Sequence, residues 1–336
     1  GPEWVIEEMG LNTLTLDFCS YRINNGDWSN KTPVIKLLDV LLKLKKTCDI
    51  SLKFEFEADL DLELNQEMYL VLEKADEFSI LLNDVEIPYT DIGWWKDYSF
   101  KKVDIKGRVR KGKNTLILNR RFYQSPKVYD TLFGGDVYET ELNKLTYDVE
   151  LESIYILGDF GVVSKSEYIN SERTAVMTEG PFVIVDRPAK LKSGDFTRQG
   201  LCFFAERLLV SQMITVGEEA TASVFLDIGR PNAPMINLYL NDKFVKTILW
   251  APFKTEVSQF LKTGDNKLTL EFFSSNRNLL GPHHHKDGEC YSVGPDSFTG
   301  KWSWVEKKTE AIPSTEEERK ADYWLDRYAF VEFGLK

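Results

Sequence analysis

Three adjacent histidines, His283-His284-His285, are the only histidines of this 336-residue chain, and Glu289 and Cys290 follow closely. Alternate histidines in an extended segment face the same way, and neutral imidazole is a common zinc ligand. The run is bounded by glycine and proline, however, and no second ligand group follows at a fixed spacing. A zinc or nickel site, a loop that contacts another ligand and a purely structural loop therefore all stay open.

Tryptophans in predicted loops form the second set of candidate residues. An exposed indole presents a flat apolar face, which suits ligands with apolar faces such as sugar rings. The alternative for each is that a tryptophan near a strand end fills the core. The tryptophans expected in loops are Trp94, Trp95, Trp250, Trp302 and Trp304.

The elements that must position these residues are mostly strands. Apolar Leu52, Phe54 and Phe56 alternate with charged residues, which is the period of a half-buried strand. Helices are predicted only at 33–46, with Thr32 as the N-cap, and around 315–322. Strands are predicted at 12–19, 51–64, 67–73, 78–82, 115–119, 145–157, 182–185, 203–210, 221–227, 236–240, 267–273 and 327–333.

An internal repeat gives the domain organisation. Residues 78–118 and 236–270 share the order strand, Asn-Asp turn, tryptophan loop, Gly-x-Asn turn, strand. Asn-Asp tolerates the left-handed dihedrals of a tight hairpin, and Gly-x-Asn supplies another such turn. The repeated features are Asn83-Asp84, Trp94-Trp95 and Gly112-Lys-Asn114 in the first copy, and Asn241-Asp242, Trp250 and Gly264-Asp-Asn266 in the second.

Two copies predict two domains of similar design. We expect an all-β chain of two antiparallel β-sandwiches, with domains at residues 3–165 and 166–336 and few short helices. Residues 164–180 are polar and suit a junction. Convergence on the same turn chemistry is the alternative to duplication.

Composition and charge narrow the function classes. An aromatic content of 13% excludes disorder, and the net charge of −11 argues against nucleic acid as a partner. No apolar run approaches the roughly 20 residues of a membrane helix. The basic stretch 101–113 is expected to be a solvated connection, with binding of an anion or acidic polysaccharide as the alternative.

The four cysteines have neither zinc-ribbon nor disulfide spacings, so the compartment stays open, either extracellular or cytoplasmic. The first two residues, Gly1-Pro2, match the remnant of a tag-removing protease. We therefore expect the natural chain to be longer.

The three segments around Asn241-Asp242, Trp250 and Gly264-Asp-Asn266 resemble the galactose-binding-like, sugar-binding sandwich of glycoside hydrolase family 2, whose pattern is an L-N-G hairpin, a loop and L-K-x-G-x-N-x-L. Asp242 stands where that pattern has glycine. Residues 147–160 and 276–285 are similar to the C-terminal region of bacterial enzymes related to family 106 α-L-rhamnosidases, in which a catalytic barrel precedes β-sandwiches. The three segments are Leu238-Tyr-Leu-Asn-Asp-Lys-Phe244, Trp250-Ala-Pro-Phe253 and Leu261-Lys-Thr-Gly-Asp-Asn-Lys-Leu268.

The resemblance implies a non-catalytic carbohydrate-binding or supporting region of a bacterial glycoside hydrolase, of jelly-roll type. Its expected partners are an oligo- or polysaccharide and the catalytic barrel of the parent chain. A purely structural appendage that packs on that barrel, and a self-contained glycosidase, are the alternatives. No cofactor is expected, with calcium left open and metal content unknown, and with 53 acidic residues the sequence nominates no catalytic pair.

Sugar recognition in such a module combines aromatic stacking with amide and charged hydrogen bonds from loops. The residues predicted to make these contacts are Trp94, Trp95, Trp250, Arg277, Asn278, His283, His285 and Trp302.

Overall fold

The structure, a computed structural model, describes residues 3–61, 67–134, 137–142, 144–171, 173–217, 223–290, 293–294, 297–298 and 324–335. Over these residues the protein is all-β, with antiparallel sheets and four helices, the longest of 11 residues. This confirms the predicted fold class. None of the helices described combines the length and apolar character that a membrane crossing requires.

The chain divides into two compact units. The first unit is Leu14–Leu157, and the second combines Gly1–Thr13 with Gly158–Lys336. The second unit therefore includes the opening strand of the chain, β1 (Glu3–Met9). The domain limits 3–165 and 166–336 stay a prediction from the sequence.

The first unit is built from two antiparallel sheets. Their strands and helices are β2 (Asn12–Leu16), β3 (Phe18–Ile23), β4 (Thr32–Pro33), α1 (Val34–Leu44), β5 (Cys48–Asp59), β6 (Met68–Glu73), β7 (Ser79–Leu82), β8 (Val85–Ile87), β9 (Trp94–Trp95), β10 (Asp97–Asp104), β11 (Gly112–Phe122), α2 (Pro126–Phe133), α3 (Glu139–Leu142) and β12 (Ile154–Gly158). One sheet has the order β2-β12-β6-β10-β9. In the other, β5 and β11 pair along eleven residues, with β3 beside β5 and β7-β8 beside β11.

The second unit is organised around a sheet of order β17-β1-β19-β25-β22-β23. Its remaining elements, in chain order, are β13 (Gly161–Ser164), β14 (Ile169–Asn170), β15 (Ala175–Thr178), β16 (Phe182–Val185), β17 (Lys190–Lys192), β18 (Gly194–Asp195), β19 (Arg207–Val216), β20 (Phe225–Asp227), β21 (Pro231–Asn232), β22 (Met235–Leu240), β23 (Lys243–Ile248), β24 (Lys254–Glu256), β25 (Gly264–Phe273), α4 (Arg277–Leu280), β26 (Tyr328–Val331) and β27 (Gly334–Leu335). The smaller sheets β18-β27-β21, β14-β15-β26 and β20-β24 and the antiparallel pair β13-β16 complete the unit.

Alternation along the strands decides which face enters each core. In β5 the side chains of Leu52, Phe54 and Phe56 are buried, whereas the charged residues between them are more exposed. This confirms the alternation expected from the sequence. In the second unit, Phe196, Phe272 and many aliphatic side chains form one apolar cluster against the six-stranded sheet.

Helix α1 confirms the predicted helix with two corrections. The Thr32 hydroxyl donates to the Asn30 carbonyl at 3.0 Å instead of capping the helix, and Pro33 occupies the N-cap position. The helix also ends earlier than the predicted residue 46, at Leu44, whose side chain is 41% exposed. The helix predicted at 315–322 lies outside the described residues.

The strand predicted at 145–157 is wrong over most of its length, because only β12 forms there. A side chain replaces the expected ladder. The Gln124 amide NH2 donates to the Val149 carbonyl at 2.6 Å, and its oxygen accepts from the Asp148 N–H at 2.9 Å. These bonds satisfy the backbone of the segment without a neighbouring strand.

In the first copy of the repeat, two asparagine side chains join the hairpin turn to the start of β11. The Asn83 NH2 donates to Oδ1 of Asn114 at 2.8 Å, and the Asn83 oxygen accepts from the Thr115 N–H at 3.1 Å. Asn114 is fully buried, and its NH2 donates to the carbonyls of Arg110 and Gly112 at 2.7 and 3.1 Å.

The second copy repeats this network bond for bond. The Asn241 NH2 donates to Oδ1 of Asn266 at 2.8 Å, and the Asn241 oxygen accepts from the Lys267 N–H at 3.2 Å. The buried Asn266 donates to the carbonyls of Lys262 and Gly264 at 2.8 and 2.9 Å. The repeat therefore extends beyond turn chemistry to a shared three-dimensional device.

We expect Asn266→Ala to lower the free energy of unfolding of the second unit by about 2–4 kcal/mol, because it leaves several buried backbone groups without partners. Asn114→Ala should do the same in the first unit. Urea denaturation followed by circular dichroism measures both.

Asp242→Gly is the matched control, since Asp242 lies in the same turn with φ of 62°. Glycine adopts this conformation without strain, so the change should stay within about 1 kcal/mol. Equal stability of Asn266→Ala and Asp242→Gly would show that the network does not hold the turn.

Candidate functional site

The short strand β9 places the two adjacent tryptophans differently. Trp95 is half-buried, with its ring centroid 6.3 Å from that of Tyr155 in an edge-to-face contact. Trp94 is 52% exposed. Of the two indoles, Trp94 therefore offers a surface for a ligand, and Trp95 supports the sheet beneath it.

Three further side chains gather beside Trp94, and together we call these four residues the edge cluster: Asp91, Trp94, Tyr98 and Lys101. Lys101 is the register partner of Trp94, and its Nζ lies 3.9 Å from the Tyr98 ring centroid. The same Nζ lies 3.9 Å from Oδ2 of Asp91. Tyr98 is 73% exposed. The cluster thus combines two exposed aromatic rings with one cation and one anion.

A bulge brings Tyr98 and Lys101 together. The two residues are three positions apart, which would put them on opposite faces of a regular strand, but the register of β10 against β9 shifts between Asp97 and Lys101. The N–H and hydroxyl of Ser99 both donate to Asp97 at 2.8 Å, and these bonds lower the pKa of the Asp97 carboxyl. The alternation of side chains along the sequence did not predict this arrangement, so Tyr98 was not among the predicted site residues.

Trp250 lies in the second unit, in the loop between β23 and β24. It is 74% exposed, and the preceding Leu249 is 49% exposed. The nearby β20-β24 pair carries Phe225, whose ring lies 4.8 Å from Nζ of Lys254. The loop position predicted for Trp250 is therefore what the structure shows.

Arg277 and Asn278 lie in α4 and are engaged within the second unit. The Asn278 NH2 donates to the Val331 carbonyl at 2.8 Å, and the Val331 N–H returns a bond to Asn278 Oδ1 at 2.8 Å. Arg277 donates from Nε to Oε2 of Glu289 at 2.9 Å. These bonds fasten β26 and the loop at Glu289 to the helix.

The histidine run packs against the same part of the chain. Nε2 of His283 lies 2.9 Å from the Asn278 carbonyl, and Nδ1 of His284 lies 3.1 Å from the Leu325 carbonyl. Both rings are 6% exposed. His285 is half-buried, and its Nδ1 accepts from the Asp287 N–H at 3.3 Å.

The structure thus brings together four of the predicted site residues: Arg277, Asn278, His283 and His285. Trp94 and Trp95 lie in the first unit and Trp250 in a separate loop of the second. Trp302, like Trp304, falls outside the described residues. Across the part of the chain that is described, no group of three or more His, Cys, Asp or Glu side chains is arranged to hold a metal ion.

A cleft in the first unit is lined by charged side chains that the sequence did not predict to lie together. Its wall combines Leu52, Leu72 and other apolar side chains with five charged residues, namely Glu73, Lys74, Arg120, Glu150 and Glu152. The Ser99 hydroxyl oxygen lies 2.9 Å from Oε1 of Glu73, and Arg120 forms an ion pair with Glu77. Glu73 and Glu152 are distant in sequence, so no local spacing signalled the cluster.

The carboxyl of Glu152 has an unusual proton affinity. The residue reaches solvent, but protein atoms around its carboxyl remove part of its hydration and raise its pKa from 4.5 to about 7. The negative charges of Glu73 and Glu150 raise that pKa further. Loss of hydration also raises the pKa of Glu150. The cleft therefore holds a carboxyl able to exchange a proton near neutral pH.

Among known proteins, only solved structures were found to be similar to this chain. No family model matches the chain, and no curated protein matches it. A β-glucuronidase from Ruminococcus gnavus in complex with N1-substituted uronic isofagomine is 10% identical, with a TM-score of 0.30, over 82% of this chain and 46% of that one.

Two further structures compare similarly. The same enzyme in complex with uronic isofagomine gives a TM-score of 0.32 at 11% identity, over 81% of this chain and 39% of that chain. A β-D-mannosidase from Dictyoglomus thermophilum gives 0.29 at 14% identity, over 79% and 31%. This chain covers less than half of each of these proteins. Similarity at this level carries no argument about function, and the resemblance to family 106-like rhamnosidases stays a prediction.

We expect Glu152→Gln to change how stability depends on pH. The Glu152 carboxyl keeps its proton to about pH 7 in the folded protein but ionises near 4.5 when unfolded. Its contribution to stability is therefore lost as pH rises from about 4.5 to 7. The variant should gain stability relative to the wild type across this window, which urea midpoints measured from pH 4 to 8 would show.

Glu86→Gln, on the exposed strand β8 and outside the cleft, is the matched control. It should keep the pH dependence of the wild type. A Glu152→Gln curve parallel to that of the wild type would contradict the raised pKa.

Proposed function

We propose that this chain is a non-catalytic carbohydrate-binding region of a glycoside hydrolase, and that the edge cluster is its sugar-binding surface. The observation that carries this proposal is the exposure of Trp94 and Tyr98, 52% and 73%, directly beside the Lys101–Asp91 ion pair. The all-β fold and the resemblance of the repeat segments to a sugar-binding sandwich support it.

The chemistry of the cluster matches the two faces of a sugar. A pyranose ring presents C–H groups that pack on an aromatic face and hydroxyls that need donors and acceptors. The Trp94 indole supplies the apolar face. Its neighbour Lys101 directs its ammonium over the ring of Tyr98 and not over that of Trp94. The Lys101 ammonium then donates to sugar hydroxyls, and the Asp91 carboxylate accepts from them.

Packing of the cluster from below keeps this surface in place. Trp95 and Phe100 both contact Tyr155, at centroid distances of 6.3 and 5.5 Å. Trp94 is consequently attached to a strand pair anchored in the sheet. A surface that is already ordered loses less conformational entropy when a ligand binds.

A structural role on a catalytic barrel is the second candidate, and the exposed Leu249-Trp250 pair favours it. Two consecutive large apolar side chains at a loop tip are typical of a protein contact surface. On this proposal Trp250 packs on the parent protein and takes no part in sugar binding.

We expect Trp94→Ala and Tyr98→Ala each to weaken oligosaccharide binding roughly ten-fold or more, as truncation of a central aromatic contact does. Titration calorimetry against a panel of neutral plant and host oligosaccharides measures the effect. Binding should saturate without release of reducing sugar.

Tyr138→Ala is the matched control, because Tyr138 is also 73% exposed and belongs to the same unit but lies outside the edge cluster. It should leave affinity unchanged, and Trp250→Ala should do so too. Unchanged affinity in Trp94→Ala would contradict the assignment. Hydrolysis by the chain itself, abolished in Glu152→Gln, would instead favour the self-contained glycosidase.

A further inference from the structure

Two cations converge on one indole at the surface of the β3-β5 pair. The Arg22 guanidinium carbon lies 4.7 Å from the ring centre of Trp28, and Nζ of Lys53 lies 4.6 Å from the same ring. We call these three residues the cation–indole cluster. Arg22 and Lys53 are on neighbouring strands, with Arg22 opposite Ser51 and Lys53 opposite Ser20.

These two cations lack a counter-charge. Over the residues that the structure describes, the side chains of Arg22 and Lys53 make no ion pair, and Nε of Arg22 is buried without a hydrogen-bond partner. Both cations lie within 5 Å of one ring centre, so they are closer together than the roughly 10 Å over which salt screens charge. Like charges this close repel each other, and a bound anion would relieve the repulsion.

The loop that carries Trp28 is tied to the strands at both ends. The Ser29 N–H donates to the Tyr21 carbonyl at 2.8 Å, and its hydroxyl oxygen accepts from the Tyr21 N–H at 2.9 Å. At the other end Asn24 Oδ1 accepts from the Asp49 N–H at 2.9 Å. These bonds fix the indole relative to β3 and β5 before any ligand arrives.

Acidic residues also lie in this region, but they leave the two cations unpaired. Asp27 precedes the indole, and Asp49 and Glu55 share the outward face of β5 with Lys53. None of the three forms an ion pair with Arg22 or Lys53. Their charges favour a ligand that carries its anion on a compact ring over one with charge along its whole length.

We propose that Arg22, Trp28 and Lys53 bind an anionic sugar, one that bears a carboxylate or a sulfate. The Arg22 guanidinium and the Lys53 ammonium donate to the anion, and the indole holds the two cations beside each other. The sugar part of this assignment rests on the proposed function. The site and its charge are separate from the edge cluster.

Calorimetric titration with galacturonate and with its methyl ester tests the charge, since the ester replaces the single ionised carboxylate of the ring by an uncharged group of similar size. Galactose 6-sulfate and galactose distinguish sulfate from carboxylate as the anion. We expect at least one charged form to bind ten-fold or more tightly than its neutral partner, with affinity falling as sodium chloride is raised.

Arg22→Gln and Lys53→Gln should each weaken that binding about ten-fold or more. Binding should also change the tryptophan fluorescence of the wild type, and this change should disappear in Trp28→Phe. Arg121→Gln is the matched control, because Arg121 lies on β11 opposite Asp49 but outside the cluster. It should bind as the wild type does. Thermal unfolding midpoints near that of the wild type would show that each variant is folded.

Equal binding of galacturonate and its ester, together with equal binding of galactose 6-sulfate and galactose, would overturn the proposal. So would equal losses in Arg22→Gln and Arg121→Gln. Anion binding that depends on Lys53 while Trp94→Ala leaves neutral-sugar binding unchanged would contradict the edge-cluster assignment alone. The opposite pattern would contradict this inference alone.

Discussion

In each unit, a hydrogen-bonded pair of asparagine side chains, one of them fully buried, fixes a hairpin to the strand beside it. Asn83 with Asn114, and Asn241 with Asn266, make the same amide-to-amide bond at 2.8 Å. Both pairs secure a central strand, since β11 lies between β5 and β7, and β25 between β19 and β22. A one-residue slip would move every side chain of such a strand to the other face. The buried cores depend on these bonds because the bonds fix the register.

The segments between the paired asparagines differ between the two units. The members of each pair are 31 residues apart in the first unit and 25 in the second. The first unit forms β9 and the bulged β10 in this interval, where Trp94 and Tyr98 reach solvent. The second unit forms the loop of Trp250. Variable loops on a constant frame are where binding surfaces usually lie.

The sequence predicted features that depend on neighbouring residues. Alternation identified β5, and the Asn-Asp turns at 83 and 241 have the positive φ angles that such hairpins require. Features that depend on distant pairing escaped it. A bulge between Ile6 and Glu8 breaks the alternation of side chains along β1. This strand is recognised only through its pairing with β17 and β19.

The residues of the candidate sites also divide into those predicted from their neighbours in the sequence and those that depend on the pairing of distant strands. Trp94 was recognised by its residue type, but the predicted loop position of Trp94 and Trp95 is wrong, because both lie on the short strand β9. Tyr98 needed the bulge that reverses its face. The carboxyls of Glu73 and Glu152 meet only because β6 and β12 are neighbours in one sheet. Arg22 and Lys53 likewise look like ordinary exposed strand residues until pairing of β3 with β5 places both over Trp28. Net charge gives no hint of such a site, since screening restricts a charge to its surroundings within roughly 10 Å. A chain with a net charge of −11 can therefore hold two cations against one indole, and pairing of strands, not composition, brings them together.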